Sequence, residues 1–350
     1  MELDFIAFVL SFCVVVYFTP VLIKVAIFKN LIDKPDKERK FHEGEIPTIG
    51  GIMIFAATII GYGICFPSPY IEKFNFLLSA IMIMFFVGIK DDIIGTTPLK
   101  KLAAHFLAAL IMVVLADVRI KGFHGIFDIQ EIPEGLSILL SLFTIIVVVN
   151  AFNLIDGVDG LAAGVGLLGC IVFGAWFLLS GNSVESCLAF SLGGALLGFL
   201  GFNFSPARIF MGDSGSLTIG IIMAFLSIQL IEYEKSYYLM PPLDAISKPA
   251  LVIAALFYPL IDTMRVFIIR ISERRSPFSA DRNHIHHKLL DAGFNHKKTV
   301  IIIYLITIIS ILTAFFSRGL NPSFSLFAVI AIPMLSLQIP YYSKTKRFLF

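Results

Sequence analysis

The sequence predicts an all-α, polytopic integral membrane protein, and its composition, its apolar stretches and its charge distribution each point to that class. Hydrophobic residues make up 57% of the 350 residues and charged residues 15%, whereas soluble domains carry about 25% charge. Apolar stretches of about 17–24 residues, the length that crosses a bilayer as a helix, recur along the chain. Lysine and arginine concentrate in alternate loops between these stretches, as in proteins with a fixed membrane orientation.

About eleven transmembrane helices are expected from these stretches, in one integral domain over residues 1–350 without a visible repeat. The expected spans are 5–28, 48–66, 74–90, 99–116, 136–152, 160–180, 185–203, 215–232, 248–270, 299–317 and 323–341. The first span has no basic start and no small-residue cleavage site. We therefore expect it to be retained rather than removed as a signal peptide.

The basic residues place the odd-numbered loops in the cytoplasm and the N-terminus outside. Most of the 27 lysines and arginines fall in those loops or in the C-terminal tail. The net charge of +2 is too balanced to indicate a nucleic-acid surface, so no nucleic-acid partner is expected. The active-site loops expected in the cytoplasm cover about 29–47, 90–101, 150–160, 203–215 and 271–298. The polar motifs of the chain lie in them.

The first motif is the pair Asp91 and Asp92, which follows Lys90 at the end of the third span. One carboxylate could bind a cation while the other accepts a proton or orients a phosphate group. A solvated helix end at the membrane boundary explains the same pair equally well. Lys101 begins the fourth span across a short loop, where it could steady a phosphate or extend toward the interface.

The second motif runs from Asn150 to Gly160 and includes Asn153, Asp156 and Asp159 at spacings of i, i+3. Side chains at this spacing share a helical face or a tight turn. Buried beside an apolar span, such groups are costly unless they are paired, hydrated or bound to a metal. The segment lacks the terminal glutamate of a calcium loop. A simple polar turn between two helices is the alternative.

The third motif places Asp213 between Gly212 and Gly215, just before an apolar helix. The free N–H groups and positive dipole of a helix N-terminus suit a diphosphate. Asp213 would then hold a divalent ion that neutralises the phosphates. The same residues also fit an ordinary helix N-cap. Asn203 and Phe210 are candidates for binding and stacking a nucleobase, although either could simply pack.

The fourth motif contains Arg282, His284, His286, His287 and Lys288 in the long loop after the ninth span. This group of cations and imidazoles predicts binding of phosphate groups. A zinc site is a competing interpretation because histidine is a common zinc ligand. The neighbouring cations and the lack of a nearby cysteine or glutamate speak against it. A basic segment next to the membrane is the third alternative.

Four sequence patterns together resemble the polyprenyl-phosphate N-acetylhexosamine-1-phosphate transferases. They are Lys-Asp-Asp, Asn-x-x-Asn-x-x-Asp-Gly-x-Asp-Gly-Leu, Phe-Met-Gly-Asp-Ser-Gly-Ser and Asp-Arg-x-His-Ile-His-His. The resemblance covers about residues 30–295, with matching order and spacing. The His-Ile-His-His form is similar to the branch that uses UDP-GlcNAc or a related UDP-HexNAc. One departure is His105, four residues after Lys101, where the family often has glutamine.

The resemblance implies transfer of HexNAc-1-phosphate, most often GlcNAc-1-phosphate, from a UDP-sugar to undecaprenyl phosphate, with release of UMP. It also implies Mg²⁺, for which Mn²⁺ can substitute, and a first membrane step toward a cell-envelope polysaccharide such as O-antigen or teichoic acid. The enzyme would lie in the bacterial inner membrane with its active site facing the cytoplasm. A homodimer in the lipid bilayer is compatible with the sequence but required by no motif.

The resemblance also distributes roles among the polar residues. Catalysis would fall to Asp91 or Asp92, which the sequence does not separate, and to Lys101. Asp213 and Asn153 would bind the metal. Substrate would contact Asp156, Asp159, Asn203, Phe210, Arg282, His284, His286 and His287.

Three other functions are alternatives to this interpretation. A phospho-MurNAc-pentapeptide transferase of the same superfamily carries a different triple-histidine segment. A secondary transporter would place its sites near the bilayer midplane between repeats, whereas these motifs lie at one interface. A CDP-alcohol phosphotransferase would need an Asp-Gly-x-x-Ala-Arg run, which this sequence lacks.

Overall fold

The architecture is a bundle of long helices, as predicted for an all-α polytopic membrane protein. A computed structural model describes residues 2–29, 31–33, 46–66, 71–233, 241–274, 283–347 and 349. The helices are α1 (Glu2–Phe28), α2 (Gly51–Cys65), α3 (Ile71–Ile94), α4 (Pro98–Leu110), α5 (Glu134–Ile155), α6 (Leu161–Leu179), α7 (Ser183–Asn203), α8 (Gly212–Ile231), α9 (Pro241–Asp244), α10 (Lys248–Ala255), α11 (Phe257–Ser272), α12 (Ile285–Asp291), α13 (His296–Phe316) and α14 (Pro322–Thr345).

Little of the described chain adopts other regular structure. A π-helical turn, Ile111–Leu115, extends α4, and a 3₁₀ turn covers Ile126–Asp128. Strands β1 (Ile32–Asp33) and β2 (Ile46–Pro47) form a short antiparallel pair. The fold is therefore built almost entirely from helix packing.

Each predicted span coincides with a helix, but the ninth is broken. The helices α10 and α11 meet at a bend of 78°. Pro259, the third residue of α11, has no N–H to donate to the carbonyl four residues earlier, which interrupts the helix there. In the described part of the chain, eight helices are long and apolar enough to cross a membrane, or nine with the bent pair. The expected number of eleven crossings stays a prediction.

The helix α8 lies at the centre of the bundle and is almost entirely buried. Glycines let its neighbours approach closely. A Cβ atom added to Gly51 of α2 would overlap the backbone of Gly215, and one added to Gly88 of α3 would overlap Ser214. A Cβ on Gly220 would lie 2.7 Å from Cα of Val149 in α5. Small residues at helix contacts are the usual route to tight packing inside membranes.

The segment before α8 is held by backbone hydrogen bonds to the segment before α2. The Phe210 amide donates to the Pro47 carbonyl at 2.8 Å, and the Gly51 amide donates to the Met211 carbonyl at 2.8 Å. The Gly50 amide donates to the Phe210 carbonyl at 3.0 Å. These bonds and the glycine contacts place the N-terminus of α8 beside the start of α2 and the last turns of α3.

Replacing Gly51 with alanine should destabilise the protein, because the added methyl group collides with the backbone of Gly215. Such overpacking costs about 1–3 kcal/mol. Thermal unfolding of detergent-solubilised protein, followed through the single tryptophan, measures the loss. Gly63→Ala, on the same helix with nothing within 4 Å of its added Cβ, is the control. Equal melting temperatures for the two variants would contradict this packing.

Candidate active site

Three of the predicted motifs meet where α3 and α5 end and where α4 and α8 begin. Lys101, in the first turn of α4, forms an ion pair with Asp91 at 2.9 Å and a second ion pair with Asp213. The three side chains are 21%, 19% and 22% exposed, respectively, so the group stays accessible from outside the protein. The lysine therefore joins the first and third motifs.

Asn153 connects the second motif to the same group. Its amide nitrogen donates to Asp213 Oδ1 at 2.9 Å and to Ser216 Oγ at 3.0 Å. The two residues predicted to share a metal are thus direct neighbours, although they lie 60 residues apart in sequence.

Asp92 caps the N-terminus of α8. Its Oδ1 accepts from the Asp213 amide at 2.7 Å, and its Oδ2 accepts from the Ser214 amide and hydroxyl at 3.0 and 2.7 Å. Gly212 has φ +73°, and a Cβ there would lie 2.7 Å from both carboxylate oxygens. We expected the free N–H groups of this helix to face a diphosphate, and that expectation was wrong for these amides. A carboxylate from α3 already satisfies them.

The structure therefore separates Asp91 from Asp92, which the sequence left equivalent. Asp92 is engaged by the first turn of α8, where a negative charge is stabilised by free N–H groups and the helix dipole. Asp91 instead pairs with Lys101.

Asp156 completes a group of four carboxylates, which we call the acidic cluster: Asp91, Asp92, Asp156 and Asp213. Asp156 directly follows α5 and is half-buried. Burial raises the pKa of its carboxyl group well above the usual value, and the nearby carboxylates of Asp213 and Asp92 add to the rise. A hydrogen bond from the Gly212 amide partly opposes it. The acidic cluster thus concentrates more negative charge than Lys101 alone balances.

Asp159 and Asn203 hold the loops around the cluster. Asp159 is buried and accepts from the Ala207 amide at 3.1 Å. Asn203 is 3% exposed. Its oxygen accepts from the Gly160 amide at 2.9 Å, and its nitrogen donates to the Ile209 carbonyl at 2.9 Å. Both ends of the Asn203 side-chain amide thus bind backbone atoms. The predicted contact of Asn203 with a nucleobase stays a prediction.

Phe210, the other predicted nucleobase contact, is half-buried. Its backbone amide and carbonyl make two of the hydrogen bonds that join the segments before α2 and α8. Its predicted stacking role is untested by this arrangement. Arg282 lies outside the described residues, so its predicted role stays a prediction as well.

The histidines of the fourth motif form one group at the start of α12, which we call the histidine cluster: His284, His286 and His287. The rings of His284 and His286 are nearly parallel, with centroids 5.2 Å apart, and the His287 ring lies 4.3 Å from that of His286. A Cβ added to Gly157 would lie 3.3 Å from Nε2 of His286. The fourth motif therefore contacts the second.

Two residues that contact the histidine cluster were not predicted from the sequence. Asp262 of α11 is fully buried, with Oδ2 2.6 Å from Nδ1 of His284 and Oδ1 accepting from the Ile285 amide at 2.6 Å. The Tyr258 hydroxyl lies 3.0 Å from Nδ1 of His286. The sequence signal that could have identified Asp262 is a carboxylate inside an apolar span, because such a group is costly to bury and usually functional.

Burial keeps one histidine of the cluster neutral. It lowers the pKa of His286 to about 3, and the positive charges possible on His287 and His284 act in the same direction, while Asp262 opposes them. At neutral pH one nitrogen of the His286 ring therefore carries a proton and the other accepts a hydrogen bond.

His105, the departure from the family pattern, lies one turn deeper than Lys101. It is buried, and its Nδ1 lies 3.2 Å from the amide nitrogen of Asn150. The side chain therefore contributes to the packing beneath the acidic cluster, where α4 meets α5.

A cavity of about 840 Å³ lies at the opposite end of the bundle, away from all four motifs. Two pairs of side chains in its wall bind each other. Arg119 binds Glu134 at 2.8 Å, and His124 lies 2.9 Å from Glu232. None of the residues that line this cavity belongs to the four motifs, so its size does not shift the candidate site from them.

Long apolar helices that gather carboxylates, a lysine and histidines at one end define a polytopic membrane protein with a polar site at that end. Residues 74–231 match the model of glycosyl transferase family 4. A probable undecaprenyl-phosphate N-acetylglucosaminyl 1-phosphate transferase of Bacillus subtilis is 32% identical over 336 residues, 95% of this chain and 90% of the relative. This chain belongs to glycosyl transferase family 4.

Two further relatives extend the comparison. A decaprenyl-phosphate N-acetylglucosaminephosphotransferase of Mycobacterium tuberculosis is 33% identical over 290 residues, 77% of this chain and 71% of the relative. An undecaprenyl-phosphate alpha-N-acetylglucosaminyl 1-phosphate transferase of Yersinia pestis is 31% identical over 294 residues, 81% of this chain and 75% of the relative.

Removing the Asp92 cap should lower stability, whereas removing its neighbour should not. Asp92→Ala leaves the first amides of α8 without an acceptor, and the loss of a cap costs about 0.5–2 kcal/mol. Asp91→Ala removes a repelling charge and leaves Lys101 paired with Asp213. Thermal unfolding in detergent should show a lower melting temperature for Asp92→Ala alone. A drop of the same size for Asp91→Ala would refute the division of roles.

Proposed function

We propose that this protein transfers a HexNAc-1-phosphate, with GlcNAc-1-phosphate as the first candidate, from a UDP-sugar to undecaprenyl phosphate. The observation that carries the proposal is the meeting of Lys101 with Asp91 and Asp213 beside the histidine cluster, at one end of a helix bundle. The names of the relatives support a polyprenyl phosphate as acceptor and N-acetylglucosamine as the sugar. The bundle lets a lipid tail stay in the bilayer while its phosphate reaches polar residues.

The acidic cluster fits a magnesium ion. Carboxylate and carboxamide oxygens are the ligands that Mg²⁺ prefers, and the raised pKa of Asp156 reflects crowded negative charge. Asp213, with Asn153 beside it, would hold the ion, and Mn²⁺ would substitute for it. Bound there, the metal would neutralise charge on the diphosphate of the donor.

The residues around the ion would position the acceptor. An oxygen of the lipid phosphate attacks the β-phosphorus, the bond to the bridging oxygen breaks, and UMP leaves. The sugar C1–O bond stays intact, so the anomeric configuration is retained. A phosphate monoester is largely ionised near pH 7 because its second pKa is about 6. Asp91, held by Lys101, would therefore orient the attacking group more than it would act as a strong base.

The histidine cluster would contact the diphosphate of the donor. It lies against Gly157 in the turn that also carries Asp156, so it adjoins the acidic cluster. Imidazole N–H groups there would donate to phosphate oxygens. Asp159 and Asn203 would support this surface by fixing the loops on either side.

The basic loops support the membrane orientation that we propose. Lysine and arginine are concentrated on the side of the motifs, which favours an active site on the cytoplasmic face of the bacterial inner membrane. Homodimerisation through lipid-facing helices stays a prediction, and the mass of the solubilised protein would test it.

Asp213→Asn should abolish transfer while leaving the protein folded. The amide keeps the size of the side chain but removes the charge that Lys101 and a metal would both use. We expect UMP release to fall by about 100-fold or more, measured with undecaprenyl phosphate, Mg²⁺ and separate UDP-sugars, including UDP-MurNAc-pentapeptide. Asp117→Asn, an exposed aspartate at the other end of the bundle, is the matched control. Retained turnover in Asp213→Asn would disprove this assignment.

Metal removal should stop the reaction reversibly. With excess EDTA we expect no UMP release, and full recovery when Mg²⁺ or Mn²⁺ is restored. Electron paramagnetic resonance of added Mn²⁺ reports binding directly. Both Asp213→Asn and Asn153→Ala should weaken that binding, whereas Asp117→Asn should not. Full turnover in EDTA would rule out a metal requirement.

A further inference from the structure

We propose that Asp262 and Tyr258, on one face of α11, are positioning residues that orient the histidine cluster toward the diphosphate of the bound donor. The inference rests on the proposed function, because it names what sets the geometry of that same site. Neither residue belongs to the four sequence motifs. Both reach the cluster from a helix that the sequence marks only as an apolar span.

The first observation is that both oxygens of Asp262 are engaged within the fourth motif. One oxygen lies 2.6 Å from Nδ1 of His284, and the other accepts from the Ile285 amide at 2.6 Å. A carboxylate can only accept, so Nδ1 of His284 must carry the proton. The nitrogen that His284 can turn to a ligand is then Nε2, which donates to a phosphate oxygen when the ring carries both protons and the Asp262 carboxylate balances its charge. Asp262 fixes both the tautomer and the direction of the ring.

The second observation is the parallel arrangement one turn earlier on α11. Tyr258 and Asp262 are four residues apart, so their side chains lie on one helical face. The buried Tyr258 hydroxyl lies 3.0 Å from Nδ1 of His286, whose Nε2 faces the turn at Gly157. The His286 ring is therefore held between α11 and the second motif. Each of these two histidines has its Nδ1 bound to α11 and its Nε2 left for other contacts.

The third observation is the free-energy cost of burying the Asp262 carboxylate. A carboxylate buried within an apolar span is expensive even when hydrogen-bonded, and apolar side chains would pack the same helix more cheaply. Asp262 is fully buried, and α11 bends sharply away from α10 just before Tyr258. Orientation of the histidine cluster accounts for the presence of such a group at that position.

A metal site is the competing explanation. Asp262, His284 and His286 each offer one donor atom, and these atoms lie within 4.8 Å of one another. In this group α11 supplies the carboxylate that lies beside the two histidines. However, the separation of 2.6 Å between Asp262 and His284 is a hydrogen-bond distance, and Tyr258 engages Nδ1 of His286. We therefore assign hydrogen bonds rather than metal coordination.

The test is a double-mutant cycle with Asp262→Asn, His284→Ala and the double variant. The asparagine keeps the size of the side chain but carries no negative charge, so it no longer stabilises a doubly protonated His284 ring whose Nε2 N–H would face the anionic donor. We expect KM for the UDP-sugar to rise by about 10–100-fold in Asp262→Asn, with KM for undecaprenyl phosphate unchanged. The double variant should match His284→Ala alone, because Asp262 acts through that ring. Additive losses would overturn the proposal.

Tyr258→Phe provides a second cycle, with His286→Ala, should Asp262→Asn fail to fold. The phenyl ring preserves the packing, and loss of the hydroxyl should raise KM for the UDP-sugar several-fold, with no further loss in the His286→Ala background. Tyr233→Phe removes the hydroxyl that donates to the Ser180 carbonyl at the other end of the bundle and should leave KM unchanged. An equal rise in KM for Tyr233→Phe would refute a specific role for Tyr258.

Calorimetric binding of UDP to the same variants separates this inference from the proposed reaction. Non-additive losses of UDP affinity without UMP release from wild-type protein would support the positioning role and overturn the reaction. UMP release with additive losses would do the reverse, and no binding of UDP to wild-type protein would overturn both. Elemental mass spectrometry measures the zinc bound per chain. One equivalent in wild-type protein that is lost in Asp262→Asn would overturn the positioning role in favour of a metal site.

Discussion

The capping of α8 by Asp92 is the interaction on which the geometry of the site depends. A carboxylate from the end of α3 accepts from two amides and a hydroxyl in the first turn of α8. Because these bonds fix α8 against α3, Asp213 is brought to Lys101 and Asn153. Gly212 leaves room for the cap because it has no Cβ atom, and it adopts the left-handed conformation that this turn requires.

Close helix packing at this site brings carboxylates together that repel each other. Glycines bring α2, α3 and α5 against α8, which is how helices pack tightly in lipid. The same closeness crowds the carboxylates of the acidic cluster, so burial and mutual repulsion raise the pKa of Asp156. Lys101 balances only part of this charge. The divalent cation that we propose would offset the remaining negative charge.

Much of the fold follows from local sequence, but the partners within the site do not. Each predicted span except the ninth, which is a bent pair of helices, coincides with one helix, because an apolar stretch of that length satisfies its backbone internally in lipid. The second and third motifs were recognisable from their carboxylates and glycines. The difference between Asp91 and Asp92, by contrast, depends on α8, which lies 121 residues away from the Asp92 position. The role of Asp262 depends on a loop 22 residues further along the chain.

The sequence by itself determined the class of protein, its helices and the chemistry of its four motifs, because these depend on composition and on short-range spacing. Only the tertiary structure decided which carboxylate caps a helix, which one pairs with Lys101, and which buried residues hold the histidines. Hydrogen bonds and ion pairs act over about 3 Å, and that proximity arises only when distant helices pack. Spacing along the chain carries no information about it.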